Sequence, residues 1–338
     1  MKMRNELRAK LDEAFERLAM KRAKLHKEGH TSLGATCAPR PAGYVEDDPT
    51  IKELDYEWVN RIEPENGVLD GVIREVLAEA PKVDASKLAK LTPDKVWVWG
   101  GQTPSWGGSM QDDTLVRGAD YFNAENVVYV YGPTTDKMMS IHSKYKKMLC
   151  QINANCRTDG ALAGTEEENA ELLSKLSLKY PNIVGAMCDD FSTGFSRVLL
   201  PERFAPVYKA LKKHNDKLKL YGVVYTHELV PRKFDRIQPY IDVVNLWFWF
   251  KDEILEFDER LERCRSMFPG KPIILGIFLH EYGAADAGNP PEILCHQLEK
   301  ARERLTAGEI EGIIILGDRE IKKWPESAKA VKDYLRNQ

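Results

Sequence analysis

The stretch YPNIVGAMCDDFSTG, residues 180–194, contains the unit from which the fold is predicted. A tight turn leads into the apolar run 183–188, which ends in two adjacent acids and is followed by a loop rich in Ser, Thr and Gly. A short apolar run bounded by turn residues is typical of a strand that is buried on both faces. Asp189 and Asp190 therefore lie where a buried strand meets a polar loop.

Similar apolar, β-branched or aromatic runs recur along the chain, at residues 95–100, 126–131, 147–153, 183–190, 219–226, 242–250, 272–279 and 311–318. Runs of helical period alternate with them, at residues 135–146, 165–180, 201–215, 254–268, 290–305 and 327–337. Eight strand-like runs that alternate with helical runs predict an α/β protein, specifically a (β/α)₈ TIM barrel. The alternative, an open doubly wound sheet, normally carries a Gly-rich phosphate-binding turn after its first strand, and GGQTPSWGG (100–108) does not match that motif.

The N-terminal part of the chain, residues 1–94, contains no motif and no repeat. Apolar residues at helical spacing predict an amphipathic helix over 1–27 and a second helix over 66–80, separated by a loop-like stretch. We therefore expect residues 1–94 to form a helical extension packed on a barrel of residues 95–338.

Composition and charge exclude several classes of protein. A formal charge of −3 over 338 residues argues against a broad basic face for nucleic acid. The six cysteines show no C-x-x-C spacing, so reduced thiols are expected. No apolar run reaches the roughly 18–20 residues that cross a bilayer. We expect a cytoplasmic protein, or a secreted or periplasmic one if a signal peptide preceded Met1, and the sequence does not predict its oligomeric state.

Loop lengths indicate where a functional site is built. The connections that follow the helices, such as 180–182 and 269–271, are short, whereas several that follow strands are long: 100–111, 153–164, 191–200 and 281–290. In a parallel barrel all strand-to-helix connections emerge at the C-terminal face, where active sites of this fold lie. This difference in length predicts a site at that face, enclosed by the long strand-to-helix connections.

Polar and aromatic side chains occupy the predicted C-terminal strand ends. We expect a group of them to bind substrate: Trp99, Gln102, Trp106, Asn153, Tyr225, His227, Trp247, Trp249, His280, Tyr282 and Asp318. Tyr131 and Gln151 also lie at strand ends, without an assigned role. In the run 242–250, alternation predicts that Asn245, Trp247 and Trp249 face the barrel interior. Each tryptophan is open to two interpretations, packing in the core or stacking on a sugar ring.

The catalytic candidates are carboxylates. Because side chains alternate along a strand, Asp189 and Asp190 are expected to point to opposite sides and to contribute one half of a site rather than a pair. The other half is expected from Glu281 after strand 7, with Glu228 after strand 5 as the competitor. Each glutamate follows a histidine, but neither HE pair forms the H-E-x-x-H zinc motif, so we predict no metal ligands and no cofactor.

These features resemble the superfamily of (β/α)₈ glycoside hydrolases. The resemblance covers about residues 95–338 and consists of the architecture together with carboxylates after strands 4 and 7. Many members place the acid/base after strand 4 and the nucleophile after strand 7, which implies Asp189 or Asp190 in the first role and Glu281 in the second. The Asp-Asp sequence differs from the Asn-Glu common in retaining members, and the chitinase-like D-x-x-D-x-D-x-E is absent.

Three functions remain open from the sequence. The first is a glycosidase with two carboxylates and a carbohydrate substrate. The second is a metal-dependent sugar isomerase, epimerase or lyase, which would use oxygen and nitrogen ligands drawn from Asp189, Asp190, His227, Glu228, Glu281 and Asp318. The third is a non-catalytic carbohydrate-binding barrel, in which the aromatic residues bind a sugar and the acids have no catalytic role.

Overall fold

The computed structural model describes residues 66–80, 83–103, 109–153, 164–190, 201–229, 233–280 and 288–338. The predicted helix over 1–27 and parts of the predicted strand-to-helix loops lie outside the described residues.

The eight predicted strands form one closed parallel barrel, in which each strand pairs with the next and β8 pairs with β1. Trp97 of β1 lies opposite Ile314 of β8, and this pairing closes the ring. The strands are β1 Val96–Gly100, β2 Asn126–Tyr129, β3 Lys147–Gln151, β4 Ile183–Cys188, β5 Lys219–Tyr225, β6 Val243–Trp247, β7 Ile273–Phe278 and β8 Ile313–Leu316. The predicted (β/α)₈ barrel is confirmed.

Helices cover the outside of this barrel. The described helices are α1 Asn66–Glu79, α2 Thr114–Phe122, α3 Asp136–Ile141, α4 Glu166–Lys179, α5 Pro201–Leu211, α6 Phe257–Met267, α7 Pro291–Thr306, α8 Glu320–Lys323 and α9 Pro325–Asn337. Thr165 begins α4 with a capping box, in which its hydroxyl accepts from Glu168 N–H and the Glu168 carboxylate accepts from Thr165 N–H. The sequence pattern did not indicate α2, whose two turns contain a glycine and polar residues.

The connection between β5 and β6 departs from the regular repeat. Its described residues form short 3₁₀ turns at Thr226–Glu228 and Gln238–Tyr240. Phe234 and Ile237 are fully buried there and occupy the outer layer that a helix would otherwise fill. The short turns leave Glu228 immediately beyond the end of β5.

The buried apolar residues form two clusters, one inside the barrel and one in the outer layer between the strands and the helices. The outer cluster contains Val244, Leu246 and Phe248 of the β6 region, whereas Val243, Trp247 and Trp249 belong to the inner one. Asn245 is fully buried, and its Oδ1 accepts from Trp247 Nε1 at 2.7 Å. The predicted alternation of this strand is therefore present in the structure.

Helix α1 packs against α7 and against residues 251–256. Its Ile73 is buried in the outer apolar cluster. Lys251, almost fully buried, lies 2.8 Å from the carboxylate of Asp70, and Arg74 pairs with Glu292. This part of the predicted extension is thus attached to the barrel by both apolar and ionic contacts.

The four described cysteines, Cys150, Cys188, Cys264 and Cys295, are free thiols. None of the helices within the described ranges has the length and apolar character needed to span a bilayer.

The absence of a side chain at Gly276 makes room for Trp247 inside the barrel. A Cβ atom at Gly276 would lie 1.9 Å from the Trp247 ring, so Gly276→Ala forces the indole to move. We expect this substitution to lower the free energy of unfolding by about 2–3 kcal/mol or more, measured by chemical denaturation. Gly71→Ala is the matched control: nothing lies within 4 Å of its Cβ, and alanine in helix α1 should raise stability by about 0.5–1 kcal/mol. Unchanged stability of Gly276→Ala would contradict the tight approach of Trp247.

Candidate active site

Asp189 and Asp190 follow the last residue of β4, so strand alternation does not govern them. Asn153, beyond β3, binds the backbone of Asp189 twice: its Oδ1 accepts from Asp189 N–H at 2.9 Å, and its Nδ2 donates to the Asp189 carbonyl. Asp190 then adopts a left-handed conformation with φ +46°, which few non-glycine residues occupy. This turn brings its carboxyl group to the hydroxyl of Tyr225 on the neighbouring strand.

The Asp190 carboxyl accepts a hydrogen bond of 2.5 Å from the Tyr225 hydroxyl. Burial raises the pKa of Asp190 above its usual range. The Tyr225 hydrogen bond lowers that pKa because it stabilises the ionised form, whereas the nearby charge of Glu228 raises it. The balance leaves a carboxyl group that keeps its proton to higher pH than an exposed aspartate.

Glu228 is almost completely buried and has protein partners on both oxygens. Its Oε2 accepts from Tyr225 N–H at 3.2 Å, and its Oε1 pairs with Lys233 Nζ at 3.2 Å. A carboxylate with these contacts supports the end of β5 and supplies a fixed negative charge beside Asp190. Lys233 was not indicated by the sequence, because a lysine in an irregular segment gives no pattern.

An aromatic wall formed by Tyr225, His227, Trp249 and Phe278 lies at the ends of β5, β6 and β7. The rings of Tyr225 and His227 are parallel with centroids 5.7 Å apart, and Trp249 meets Tyr225 edge-on at 4.7 Å. Phe278 lies 6.2 Å from Trp249, also edge-on. His227 and Trp249 are only partly buried, so part of their ring surface is exposed.

A buried carboxylate holds the wall in place. Glu253 Oε2 accepts from the Thr226 hydroxyl at 2.5 Å and from Phe250 N–H at 3.1 Å. The Thr226 hydroxyl in turn accepts from Trp249 N–H at 3.1 Å. These bonds join the ends of β5 and β6 and restrict the position of Trp249.

Trp99 and Trp247 lie deeper, as the floor beneath this wall. Both are at most 3% exposed, and their rings meet edge-on at 5.8 Å. Their indole N–H groups are bonded to the Tyr131 hydroxyl and to Asn245 respectively. These contacts favour the core-packing interpretation for this pair.

The other predicted binding residues are dispersed around the face. Gln102 Nε2 donates to the Met110 carbonyl at 2.9 Å and to Asp112 at 3.1 Å, within its own connection. His280 stacks on Trp324 at 4.5 Å, on the side of α8 and α9. Trp106, Glu281 and Tyr282 lie outside the described residues.

Asp318 is turned toward the outer layer rather than the aromatic wall. Its carboxylate accepts from Gly101 N–H at 3.0 Å, Thr114 Oγ1 at 3.1 Å and Arg319 N–H at 2.6 Å. It borders a separate cavity of about 730 Å³ between α2 and α8. Substrate binding by Asp318 stays a prediction, and its contacts are those of a group joining β8 to β1 and α2.

Among the described residues, no three His, Cys, Asp or Glu side chains come together as a metal-binding cluster. The predicted oxygen and nitrogen ligands are divided between the Tyr225 region and the Asp318 region, and Glu281 is not described.

The fold is similar to that of solved glycoside hydrolases. A protein named "putative alpha-L-fucosidase" from Bacteroides thetaiotaomicron VPI-5482 matches with a TM-score of 0.50 and 12% identity, over 77% of this chain and 98% of its own. A family GH18 chitinase from Chromobacterium violaceum has a TM-score of 0.46 and 11% identity, over 76% and 87%. A GH113 β-1,4-mannanase has a TM-score of 0.48 and 8% identity, over 74% and 100%. At 12% identity the first of these similarities shows the fold alone.

No protein-family model matches the sequence, and no curated protein is significantly similar to it.

The buried carboxyl of Asp318 is expected to make stability depend on pH. Burial raises its pKa to about 7, the charge of Glu320 raises it as well, and its three hydrogen bonds oppose this. The folded state therefore holds a proton that the unfolded state loses near pH 4, and stability falls as the pH rises from about 4 to 7.

Asp318→Asn mimics the protonated form and cannot ionise. We expect its free energy of unfolding, relative to that of the unsubstituted protein, to rise by about 2–3 kcal/mol between pH 5 and pH 8. Urea denaturation at the two pH values measures the change. A constant difference would mean that Asp318 ionises in the folded protein as readily as in the unfolded chain.

Proposed function

We propose that this chain is a glycoside hydrolase that cleaves a glycosidic bond between two carboxyl groups at the C-terminal face of the barrel. Asp190 is the general acid and Glu281 the second carboxylate. The observation that carries the proposal is the Asp190 carboxyl, whose pKa burial raises and which lies at Tyr225 beside an aromatic wall. A carbohydrate is the substrate.

The chemistry needs one protonated and one ionised carboxyl group. Asp190 supplies the first, because burial and the charge of Glu228 both disfavour its ionised form. Its proton passes to the glycosidic oxygen as the bond to the sugar breaks. Glu281 follows β7, which is three strands from β4 in the closed order, so the proposal places it across the mouth from Asp190.

The aromatic wall supports a carbohydrate as the ligand. A sugar ring has apolar C–H faces and polar hydroxyl edges, so its face packs well on partly buried rings such as those of Trp249 and His227. The same wall would suit a barrel that binds a sugar without cleaving it. Hydrolysis of a panel of aryl glycosides, compared with binding alone, separates these two functions.

Replacing the proposed acid should affect substrates according to their leaving groups. With Asp190→Asn, we expect kcat to fall about 10²–10⁴-fold for glycosides with alkyl leaving groups, which need protonation to depart. The loss should be much smaller for a 2,4-dinitrophenyl glycoside, which departs readily as the anion. Steady-state kinetics on both substrate types measures this.

Glu281→Gln is the matched comparison, since loss of the second carboxylate should slow both substrate types alike. Asp189→Asn should cost less than Asp190→Asn, because it leaves in place the two Asn153 contacts, which are to the backbone of residue 189. Full activity of Asp190→Asn on alkyl glycosides would overturn the assignment.

Two substitutions should move the alkaline limb of the pH–rate profile in opposite directions. Tyr225→Phe removes a hydrogen bond that lowers the pKa of Asp190, so activity should persist to higher pH. Glu228→Gln removes a charge that raises that pKa, so activity should be lost at lower pH. Profiles of kcat against pH, recorded for each variant, measure both shifts of the alkaline limb.

Tyr208→Phe is the control for the tyrosine, because the Tyr208 hydroxyl also bonds an aspartate, Asp242, but outside the site. Its profile should match that of the unsubstituted enzyme. Shifts of Tyr225→Phe and Glu228→Gln in the same direction would show that another group controls the alkaline limb.

A further inference from the structure

Gln151 is the last residue of β3, and only the oxygen of its side-chain amide has a hydrogen-bond partner among the described residues. It is 2% exposed and lies on the inner face of the barrel, since Leu149 belongs to the inner cluster and Met148 and Cys150 to the outer one. Its Oε1 accepts from Tyr131 N–H at 3.1 Å. Its Nε2 is buried and has no hydrogen-bond partner in the described part of the chain.

The orientation of this amide is determined by its neighbour. Tyr131 N–H needs an acceptor, so the oxygen of Gln151 must face it and the nitrogen must face away. Tyr131 itself is held in a left-handed conformation with φ +65°, and its hydroxyl accepts from Trp99 Nε1 at 3.1 Å. Backbone strain of this kind concentrates at functional sites, and the N–H that Gln151 accepts belongs to this strained residue.

A buried donor without a partner costs free energy, because its hydrogen bond to water is lost and nothing in the protein replaces it. Gln297 is the informative contrast. It has the same side chain and the same 2% exposure, but its Nε2 donates to the Gly276 carbonyl at 3.3 Å. The unused donor is therefore a feature of the position of Gln151 and not of buried glutamines in this protein.

That position is on the strand next to the one that leads to the proposed acid. Gln151 pairs with Met187 of β4, the strand that leads to Asp190. The aromatic wall lies further around the ring, at the ends of β5 to β7. A sugar stacked on that wall would have its hydroxyl edge available to side chains of β3.

We infer that Gln151 Nε2 donates a hydrogen bond to one hydroxyl oxygen of the sugar bound in the barrel mouth, and so selects sugars that carry a hydroxyl at that position. The inference rests on the proposed carbohydrate function and adds a specificity residue to it. The matching ligand atom must be an acceptor, because the unused atom of Gln151 is a donor. The neighbouring amide of Asn153 is already bonded to the Asp189 backbone and is not available for this role.

The test compares Gln151→Met and Gln297→Met on the best-cleaved aryl glycoside and its monodeoxy analogues. The unsubstituted enzyme should cleave one analogue with about tenfold lower kcat/KM, because the Gln151 donor then lacks an acceptor. Gln151→Met should lower kcat/KM about tenfold on the parent glycoside and lose its discrimination against that analogue. Gln297→Met should lower the Tm but keep the discrimination.

Gln151→Leu is the second variant if Gln151→Met does not fold, because it also removes the donor and has no ionisable group. It should show the same loss of discrimination. Discrimination that is unchanged in either Gln151 variant overturns the role of Gln151 while leaving hydrolysis intact.

Thermal shift with a panel of monosaccharides separates this inference from the proposed hydrolysis. One outcome is that no glycoside is hydrolysed, but a monosaccharide raises the Tm of the unsubstituted protein and of Gln297→Met and leaves that of Gln151→Met unchanged. The proposed hydrolysis is then wrong, and the proposed contact of Gln151 with the sugar is supported. If no monosaccharide binds and no glycoside is cleaved, both proposals are overturned.

Discussion

Closure of the parallel ladder between β8 and β1 is the constraint on which the other features depend. A parallel strand that is not paired on both sides leaves backbone N–H and C=O groups unsatisfied, and in this chain the apolar strands are too buried for water to satisfy them. Closing the ring removes both edges. It also brings eight strand ends to one face, so residues distant in sequence, such as Asn153, Asp190 and Trp249, share one mouth.

Local polar contacts determine the position of Asp190 at that mouth. Asn153 holds the Asp189 backbone, Asp190 turns into the left-handed region, and Tyr225 then reaches its carboxyl. Glu228 places a fixed charge near the same group while Lys233 pairs with it. Burial disfavours the ionised carboxylate, and the tyrosine hydroxyl partly compensates. The result is a carboxyl group whose protonation depends on burial and on two neighbours, Tyr225 and Glu228, at the end of the adjacent strand β5.

The fold could be predicted from the sequence because its signal is periodic. Each strand is a short apolar run bounded by turn residues, and the segments between them are long enough for helices, so all eight strands and helices such as α4 and α7 could be predicted. Helix α2 was not predicted although its buried residues share one helical face, because it spans only nine residues. The irregular β5–β6 connection gave no pattern either, since its residues Phe234 and Ile237 are buried by tertiary packing alone.

The candidate site could be predicted only in part. Strand-end position identified Asp190, Tyr225 and Trp249 as neighbours of the mouth, and the inward set of β6 followed from alternation. Strand-end position also selected Asp318, although its carboxylate turns to the backbone of β1 and to α2. Phe278 could have been found by the same alternation, two residues before His280. Lys233 and Trp324 carry no such signal.

The sequence by itself determined the order of strands and helices, and therefore which residues lie at the C-terminal ends of the strands, because period and turn residues are local properties. Only the tertiary structure decided which of the two adjacent acids meets Tyr225, and which amide, Gln151 or Asn153, keeps an unused donor. Those outcomes depend on hydrogen bonds between strands and on burial in the closed ring. Neither is encoded in the spacing of residues along one strand.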